Sequence, residues 1–429
     1  MRKYLSKAKN RIIHYKVLVQ NFSYLALIQV VNLLVILASY PYLIKVLGKE
    51  TFGLVIFAQT FVSYFVVLVS FGFNISATKE ISIFRDDRAK VNEIFSSILI
   101  IKGTLFLVSF IGLIVAFNFF ETARTYKLLF LFSMFGCLYE FIFPIWFFLG
   151  VEKMKDVTII SFISKSIFFI LIFLFIKSKS DYLYVPLFSG IGSLIAGLYS
   201  VYKVIKNEKV EFTFQSIKTL KHYFKESITF FISNLSSHIY SNANKLVIGT
   251  FLGMTQVAYF DLAEKIILML KLPQAVFSQA VFPRITKDLN RKLIKNLFVL
   301  SFLGNSLLYV FVLLFAPFLV YILGSKEMVE SINVLNTLAI TVLINGVSNF
   351  CIIQILTAFG YKNIVSRIIF TSLFLYIISI LLLYIFNMIT LHSVSIVTIM
   401  IELNTTLMTL YYIKQKNIFS KGYQPISVG

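Results

Sequence analysis

Glu226–Gly253 reads ESITFFISNLSSHIYSNANKLVIGTFLG. The stretch is long enough to cross a bilayer, which takes about 20 residues. Yet it carries Asn234, His238, Ser241, Asn242 and Lys245. At about 100° per residue, Asn234, His238, Ser241 and Lys245 fall within an arc of roughly 60° on a helix. Leu235, Ile239, Ala243 and Leu246 lie on the other side. A lysine or a histidine turned to hydrocarbon costs several kcal/mol, so the polar stripe must face water, a ligand or another helix. Two readings follow: one wall of a polar cavity inside a membrane protein, or a polar seam between packed helices.

The remaining sequence supports the membrane setting. Of its 429 residues 58% are hydrophobic and only 14% are charged, the balance of an integral membrane protein. The 47 Phe and 23 Tyr suit lipid-facing and interfacial positions. A net charge of +21 does not point to nucleic acid, because the charges lie in short loops between apolar runs. Cys137 and Cys351 fall inside apolar runs and read as small buried hydrophobes, neither a disulfide nor a metal site. Met1–Gln20 is basic, with Arg2, Lys3, Lys7, Lys9, Arg11 and Lys16, and reads as a cytoplasmic surface segment. The apolar run after it is long enough to remain in the membrane, so no cleaved signal peptide is expected.

The fold class expected is an all-α polytopic membrane protein of about twelve transmembrane helices. Short loops join the spans, except over 204–225. There Ile217, Leu220 and Phe224 recur at helical spacing among lysines, which suits either a short helix on an anionic leaflet or a solvated linker. Of the 40 Lys and Arg, the loops on one side hold only Lys45, Lys49, Arg124, Lys127, Lys177, Lys179 and Lys326. Lys102, Lys165, Lys245, Lys265 and Lys271 lie within spans, and the others belong to the opposite side. The positive-inside rule then makes both termini cytoplasmic. The domains expected are a lobe over 1–203, a cytoplasmic linker over 204–225, a second lobe over 226–416 and a cytoplasmic tail over 417–429.

The two lobes are read as copies of one unit. Leu47-Gly48-Lys49-Glu50-Thr51-Phe52-Gly53 is echoed by Leu252-Gly253-Met254-Thr255-Gln256-Val257-Ala258. Thr78-Lys79-Glu80-Ile81 is echoed by Thr286-Lys287-Asp288-Leu289, and Gly150 by Gly360, at nearly the same offset. Six spans per copy is an even number, so both copies enter from the same side and should be related by a pseudo-twofold axis along the membrane normal. The offset places Gln29 opposite Asn234 and Asn32 opposite Ser237, so symmetry-mated helices both carry polar faces. That favours a central cavity between two six-helix bundles over a seam.

These residues resemble a known family. Tyr42–Gly48 through Phe52-Gly53, Phe71-Gly72-Phe73 leading to Ala77–Glu80, and Pro144–Met154 carry the resemblance. Phe282-Pro283-Arg284 and Leu356–Gly360 complete it. Together they resemble the Wzx-type O-antigen flippases, in the polysaccharide-export branch of the multidrug/oligosaccharidyl-lipid/polysaccharide (MOP) transporter superfamily. The resemblance implies a cavity opening alternately to cytoplasm and periplasm of the bacterial inner membrane. It implies a substrate built from an oligosaccharide on a polyprenyl diphosphate, flipped for O-antigen or capsule assembly. It does not imply an enzyme or a cofactor. The expected partners are the lipid-linked oligosaccharide, membrane lipids, a proton or sodium ion, and polysaccharide polymerase and chain-length proteins, with no nucleic acid.

For such a substrate the diphosphate needs cations and the sugar needs hydrogen-bonding groups. Lys245 is the first candidate cation, with Lys102, Lys165 and Lys271 beside it. Lys102 and Lys165 have a plainer reading, pairing with Glu140 in the same lobe. Gln29, Asn32, Asn234, His238 and Asn242 are candidates for the sugar, and each also has a purely structural reading. Asp261 and Lys265 are spaced for an internal i,i+4 salt bridge, and Gln59 is the repeat mate of Glu264. Glu140, Glu402, Asp261 and Glu264 are candidates for ion coupling. No Gly-rich Lys-Ser/Thr phosphate loop and no loop able to house an ATPase is visible. The rival reading is a cation-coupled multidrug exporter of the same superfamily, against which the intramembrane lysines argue. A membrane polymerase or ligase would need catalytic groups in a sizeable external loop, and these loops are short.

Overall fold

A computed structural model describes residues 2–419, and for residues 2–22, 25, 26, 283, 287 and 288 it describes the backbone only. The side chains of the basic N-terminal segment, and residues 420–429 of the expected tail, lie outside the described residues. Every regular element among the described residues is helical. In chain order the helices are α1 (Arg2–Ser70), α2 (Phe73–Phe84), α3 (Arg88–Phe119), α4 (Glu121–Thr125), α5 (Lys127–Ser133), α6 (Phe135–Ile142), α7 (Ile145–Gly150), α8 (Met154–Phe175) and α9 (Tyr184–Asn207). There follow α10 (Ile217–Phe251), α11 (Met254–Asp288), α12 (Arg291–Gly324), α13 (Ser331–Phe350), a π-helical turn (Cys351–Thr357), α14 (Lys362–Ile385) and α15 (Leu391–Gln415).

Ten helical runs among the described residues are long and apolar enough to cross a membrane. The first, Leu27–Phe84, has 58 residues. At ~1.5 Å rise per residue it would be nearly three hydrocarbon cores long if straight. It is not straight, because Gly48 leaves the helical region at φ 74°, ψ 159°. That run therefore holds two crossings. α10 is not among the ten, and the same polar residues that mark it as special lower its hydropathy. With α10 the helices make the twelve crossings expected.

Two glycine turns carry the internal repeat into the backbone. Gly48 (74°, 159°) and Gly253 (95°, 169°) adopt nearly the same conformation, one that side-chain-bearing residues rarely take. Each separates a polar-faced helix from the next crossing. Thr78 and Thr286, also repeat mates, both donate their hydroxyls to the carbonyl four residues back. The helices that follow are capped alike, α3 by the Asp87 carboxylate and α12 by the Asn290 side-chain oxygen. Gly150 and Gly360 are less alike. Gly360 has a positive φ, whereas after Gly150 it is Glu152 that does. Gly150 is required instead by Ile81, whose side chain would lie 2.6 Å from an added Cβ.

By packing, the chain forms two units: residues 1–39 with 61–235, and residues 40–60 with 236–429. They differ from the sequence lobes in exchanging 40–60 and the first part of α10, so α1 and α10 each serve both units. In the first unit a core of Phe73, Phe95, Trp146, Phe147 and Phe148 joins α2, α3 and α7. Phe71 stacks on Phe224 and Phe231 at 4.4 and 4.5 Å, and Ser76 meets Ser227 at 2.7 Å, which ties the start of α10 to α2. The 204–225 connection is therefore neither a separate surface helix nor a loose linker. Its backbone docks on α3 through Glu211 N to Asn92 Oδ1 and Thr213 N to Ser96 Oγ, and from Ile217 onward it is already α10.

In the second unit the two glycine turns lie against each other. A Cβ on Gly53 would fall 1.8 Å from the Met254 carbonyl oxygen, and one on Gly249 would fall 2.2 Å from the Phe57 ring. Lys49 donates to the Tyr259 hydroxyl at 2.9 Å. Phe350, Ile355, Leu356, Phe359 and Ile368 form the core between α13, the π turn and α14. Cys137 and Cys351 are free and buried, as expected of small hydrophobes.

Candidate functional site

The polar stripe of α10 reaches its destination in the second unit. Lys245 is 4% exposed, and its ammonium donates to Glu264 Oε2 at 2.7 Å and to Asp261 Oδ1 at 3.2 Å, both on α11. The other oxygen of Asp261 accepts the Tyr40 hydroxyl at 2.9 Å. A lysine buried in a span is tolerable only when its charge is met, and here two carboxylates meet it. The preceding residue, Asn244, is 2% exposed, and both ends of its amide have partners: it donates to Thr398 Oγ1 and accepts from the Tyr376 hydroxyl, both at 2.9 Å. Further along α11, Lys271 lies 3.5 Å from Glu402 of α15, whose two oxygens also accept from Asn345 of α13 at 3.1 Å.

These groups surround a cavity of about 260 Å³. Its charged lining is Lys245, Lys265, Lys271, Glu264 and Glu402. Hydroxyl, amide and aromatic groups complete it, among them Ser241, Asn242, Tyr240, Tyr376 and Thr398. Drug-sized sites run to about 300–1,000 Å³, so this one admits a single polar group or two, not a whole oligosaccharide. With Asp261 behind the wall, three lysines are set against three acids. Lys265 alone of the three makes no ion pair among the described residues.

A family model described as polysaccharide biosynthesis protein matches residues 18–289, well over half of the chain. The chain belongs to that family. Relatives of this chain carry a transporter's name. An Escherichia coli (strain K12) protein named "Putative O-antigen transporter" is 28% identical over 360 residues, covering 82% of this chain and 86% of its own. A Shigella dysenteriae protein of the same name is 30% identical, covering 62% of this chain and 67% of its own. Among solved structures, the lipid II flippase MurJ in an inward closed conformation matches with a TM-score of 0.73 at 16% identity, over 91% of this chain and 87% of that one. A MOP-superfamily transporter from Pyrococcus furiosus matches at 0.65 and 16% identity, over 95% and 97%. At such identities the structures speak for the fold alone, which is the MOP-superfamily fold expected from the sequence. These relatives are transporters and flippases, not catalysts, as the reading of the short loops required.

Of the expected site residues, the structure gathers Lys245, Asn242, Lys271, Asp261, Glu264 and Glu402 around this cavity. His238 is not in the lining but sits behind Asn242, 3.3 Å from its amide. The others belong to the first unit. There Lys102, 1% exposed, pairs with Glu140 at 2.8 Å, which is its plainer reading. Lys165 lies on a mainly apolar recess with Leu34, Val35 and Phe169. Gln29 is exposed, and Asn32 and Asn234 are half-buried, in the same unit. One expectation is corrected. Asp261 does not close a bridge with Lys265 one turn along α11; it turns to Lys245 and Tyr40, because two donors from other helices converge on it.

Asn244, Lys265, Tyr376, Thr398 and Asn345 were missed by the stripe. Asn244 lies outside its arc, and the remaining four sit on helices whose packing against α10 has no local sequence signal. An amide inside an apolar span was the one usable clue for Asn244 and Asn345.

Proposed function

We propose that the protein flips a polyprenyl-diphosphate-linked oligosaccharide, an O-antigen or capsule repeat unit, from the cytoplasmic to the periplasmic face of the inner membrane by alternating access. What carries this reading is the charged and hydroxylated cavity inside the membrane-spanning part of the second unit, with Lys265 turned into it and paired to no acid among the described residues. The names of the E. coli and Shigella relatives support the same substrate class. The lobes that would move are those of the repeat, over 1–203 and 226–416, and Gln29, Asn32, Asn234 and His238 are the further groups that would offer the sugar hydrogen bonds.

The chemistry follows from charge balance. A sugar or diphosphate crossing the bilayer needs polar partners at every depth, since the hydrocarbon offers none. The diphosphate meets Lys265 first. Lys245 and Lys271 are held by Glu264, Asp261 and Glu402, so they become available only when a carboxylate is neutralised. A proton or a sodium ion at Glu264 or Glu402 would do that, coupling ion entry to anion binding. Once the anion leaves, the lysines return to their acids and the resting arrangement is restored. Glu140 with Lys102 makes a second such pair in the first unit. Multidrug export is the weaker reading, because the one lysine of the cavity without an ion pair among the described residues, Lys265, suits an anion better than an organic cation.

The test is flipping in sealed proteoliposomes. A fluorescent polyprenyl-diphosphate saccharide should become inaccessible to an external quencher at a protein-dependent rate, and the rate should rise with an imposed proton or sodium gradient. An organic cation dye should not be transported. Dye transport without saccharide flipping would replace this reading with the drug exporter.

A further inference from the structure

The second unit holds another recess, away from the charged cavity. It has a volume of about 510 Å³ and lies where the start of α12, the π turn and the end of α15 come together. Phe298, Cys351, Ile355, Leu410 and Ile413 make its wall, and Phe419 stands at its edge. The wall is almost wholly apolar. The rim is not: Arg291, Lys292 and Lys295, all from the first turns of α12, line it, and no acid is among its described lining residues. Lys292 and Lys295 are exposed and make no ion pair among the described residues.

The shape has a local cause. α13 does not end as an α-helix but runs into seven π-helical residues, Cys351–Thr357. A π turn is wider than an α turn, is rare, and is frequently found at functional sites. Cys351 and Ile355 of this turn face the recess, while Gln354 is pinned on the opposite side by Ser278, donating to its carbonyl at 2.7 Å and its hydroxyl at 2.8 Å. After α15 the chain folds back, with Ile418 buried and Phe419 half-exposed beside the recess. The result is a pit rather than a flat helical surface.

We propose that this pit is a binding site for one anionic glycerophospholipid, with an acyl chain along Phe298, Ile355 and Leu410 and the phosphate on Lys292 and Lys295. An apolar slot beneath a ring of cations matches a molecule with a chain below and a negative charge above. The N-terminus of α12 adds its dipole to the same end. The bias of Lys and Arg places this end on the cytoplasmic side, where anionic lipid gives the leaflet its negative potential. A polyprenyl chain, several times longer and branched, does not fit a pit of this volume. The occupant is therefore a resident phospholipid, not the transported lipid.

The experiment is thermal unfolding of the full-length protein in detergent with added phosphatidylglycerol, phosphatidylcholine or polyprenyl phosphate, read beside native mass spectrometry. Phosphatidylglycerol should raise the melting temperature by several degrees and survive as a single bound lipid. Phosphatidylcholine should do neither. The double variant K292Q/K295Q, which alters only exposed side chains, should melt normally without lipid and lose most of the shift. Leu410→Trp, which fills the mouth of the pit, should lose it too. Equal shifts from phosphatidylcholine, an undiminished shift in both variants, or a larger shift from polyprenyl phosphate would each overturn the proposal.

Discussion

Tyr40 and Lys245 stand 205 residues apart, at equivalent places in the repeat, and both bond to the same carboxylate: the Tyr40 hydroxyl to Asp261 Oδ2 at 2.9 Å and the Lys245 ammonium to Asp261 Oδ1 at 3.2 Å. Two helices thus meet at one acid, and they meet it differently: α1 supplies a neutral donor and α10 a charge.

That arrangement separates stability from transport at Lys245. Lys245→Met leaves the buried Asp261 and the partly exposed Glu264 without a cation, and breaking a buried pair costs about 3–5 kcal/mol. The variant should unfold at a clearly lower temperature in detergent. Adding Asp261→Asn and Glu264→Gln removes the uncompensated charges, so the triple variant should regain most of the stability and still fail to flip substrate. Full stability in Lys245→Met alone would contradict the triad.

Lys265 should behave in the opposite way. It has no acid to abandon, so Lys265→Gln should alter stability by no more than ~0.5 kcal/mol. Losing a charged hydrogen bond to phosphate costs about 1.5–3 kcal/mol, so flipping should fall by roughly ten- to hundredfold. Rates from proteoliposomes and melting curves from the same preparation check both halves. Unchanged flipping would remove Lys265 from the path.

The glycine turns give a comparison without charges. Nothing lies within 4 Å of a Cβ on Gly48 or Gly253, so alanine there meets only the cost of a backbone conformation that is essentially glycine's own, about 1–3 kcal/mol. At Gly53 the added Cβ would sit 1.8 Å from the Met254 carbonyl oxygen, and the two turns must part to admit it. Gly53→Ala should therefore be much less stable than Gly48→Ala, by melting temperature and by yield of folded protein. Equal losses would mean that the turns do not pack this closely.

Much of this was legible in the sequence and some was not. Helix content, the polar α10 and the turns at Gly48 and Gly253 could be read because each depends on local spacing or on a single residue's backbone freedom. The partners of Lys245 could not. An i,i+4 rule finds neighbours on one helix, and so it joined Asp261 to Lys265, whereas donors arriving from α1 and α10 had the stronger claim. The helical wheel also put Asn234 beside Lys245. A wheel discards height: eleven residues are ~16 Å along a helix, and the packing boundary between the units falls at Leu235. Shared direction is not shared surroundings.

Orientation offers a further check. If both termini are cytoplasmic, a cysteine placed at Lys326 should react with a membrane-impermeant thiol reagent added outside intact spheroplasts, and one at Thr213 should react only after permeabilisation. Cys137 and Cys351 are buried and should stay silent in both. The reverse pattern would invert the topology and with it the direction of transport.

The most direct measurement is photocrosslinking from within the cavity. A photoreactive residue at Ser241, which lines it, should capture a labelled polyprenyl-diphosphate saccharide during turnover, and the capture should fall when Lys265 is replaced by Gln. The same residue at Leu303, 60% exposed on α12, should capture lipid but not the saccharide. Labelling of the saccharide at Leu303 and not at Ser241 would mean that the charged cavity of the second unit is structural and that the substrate takes another route.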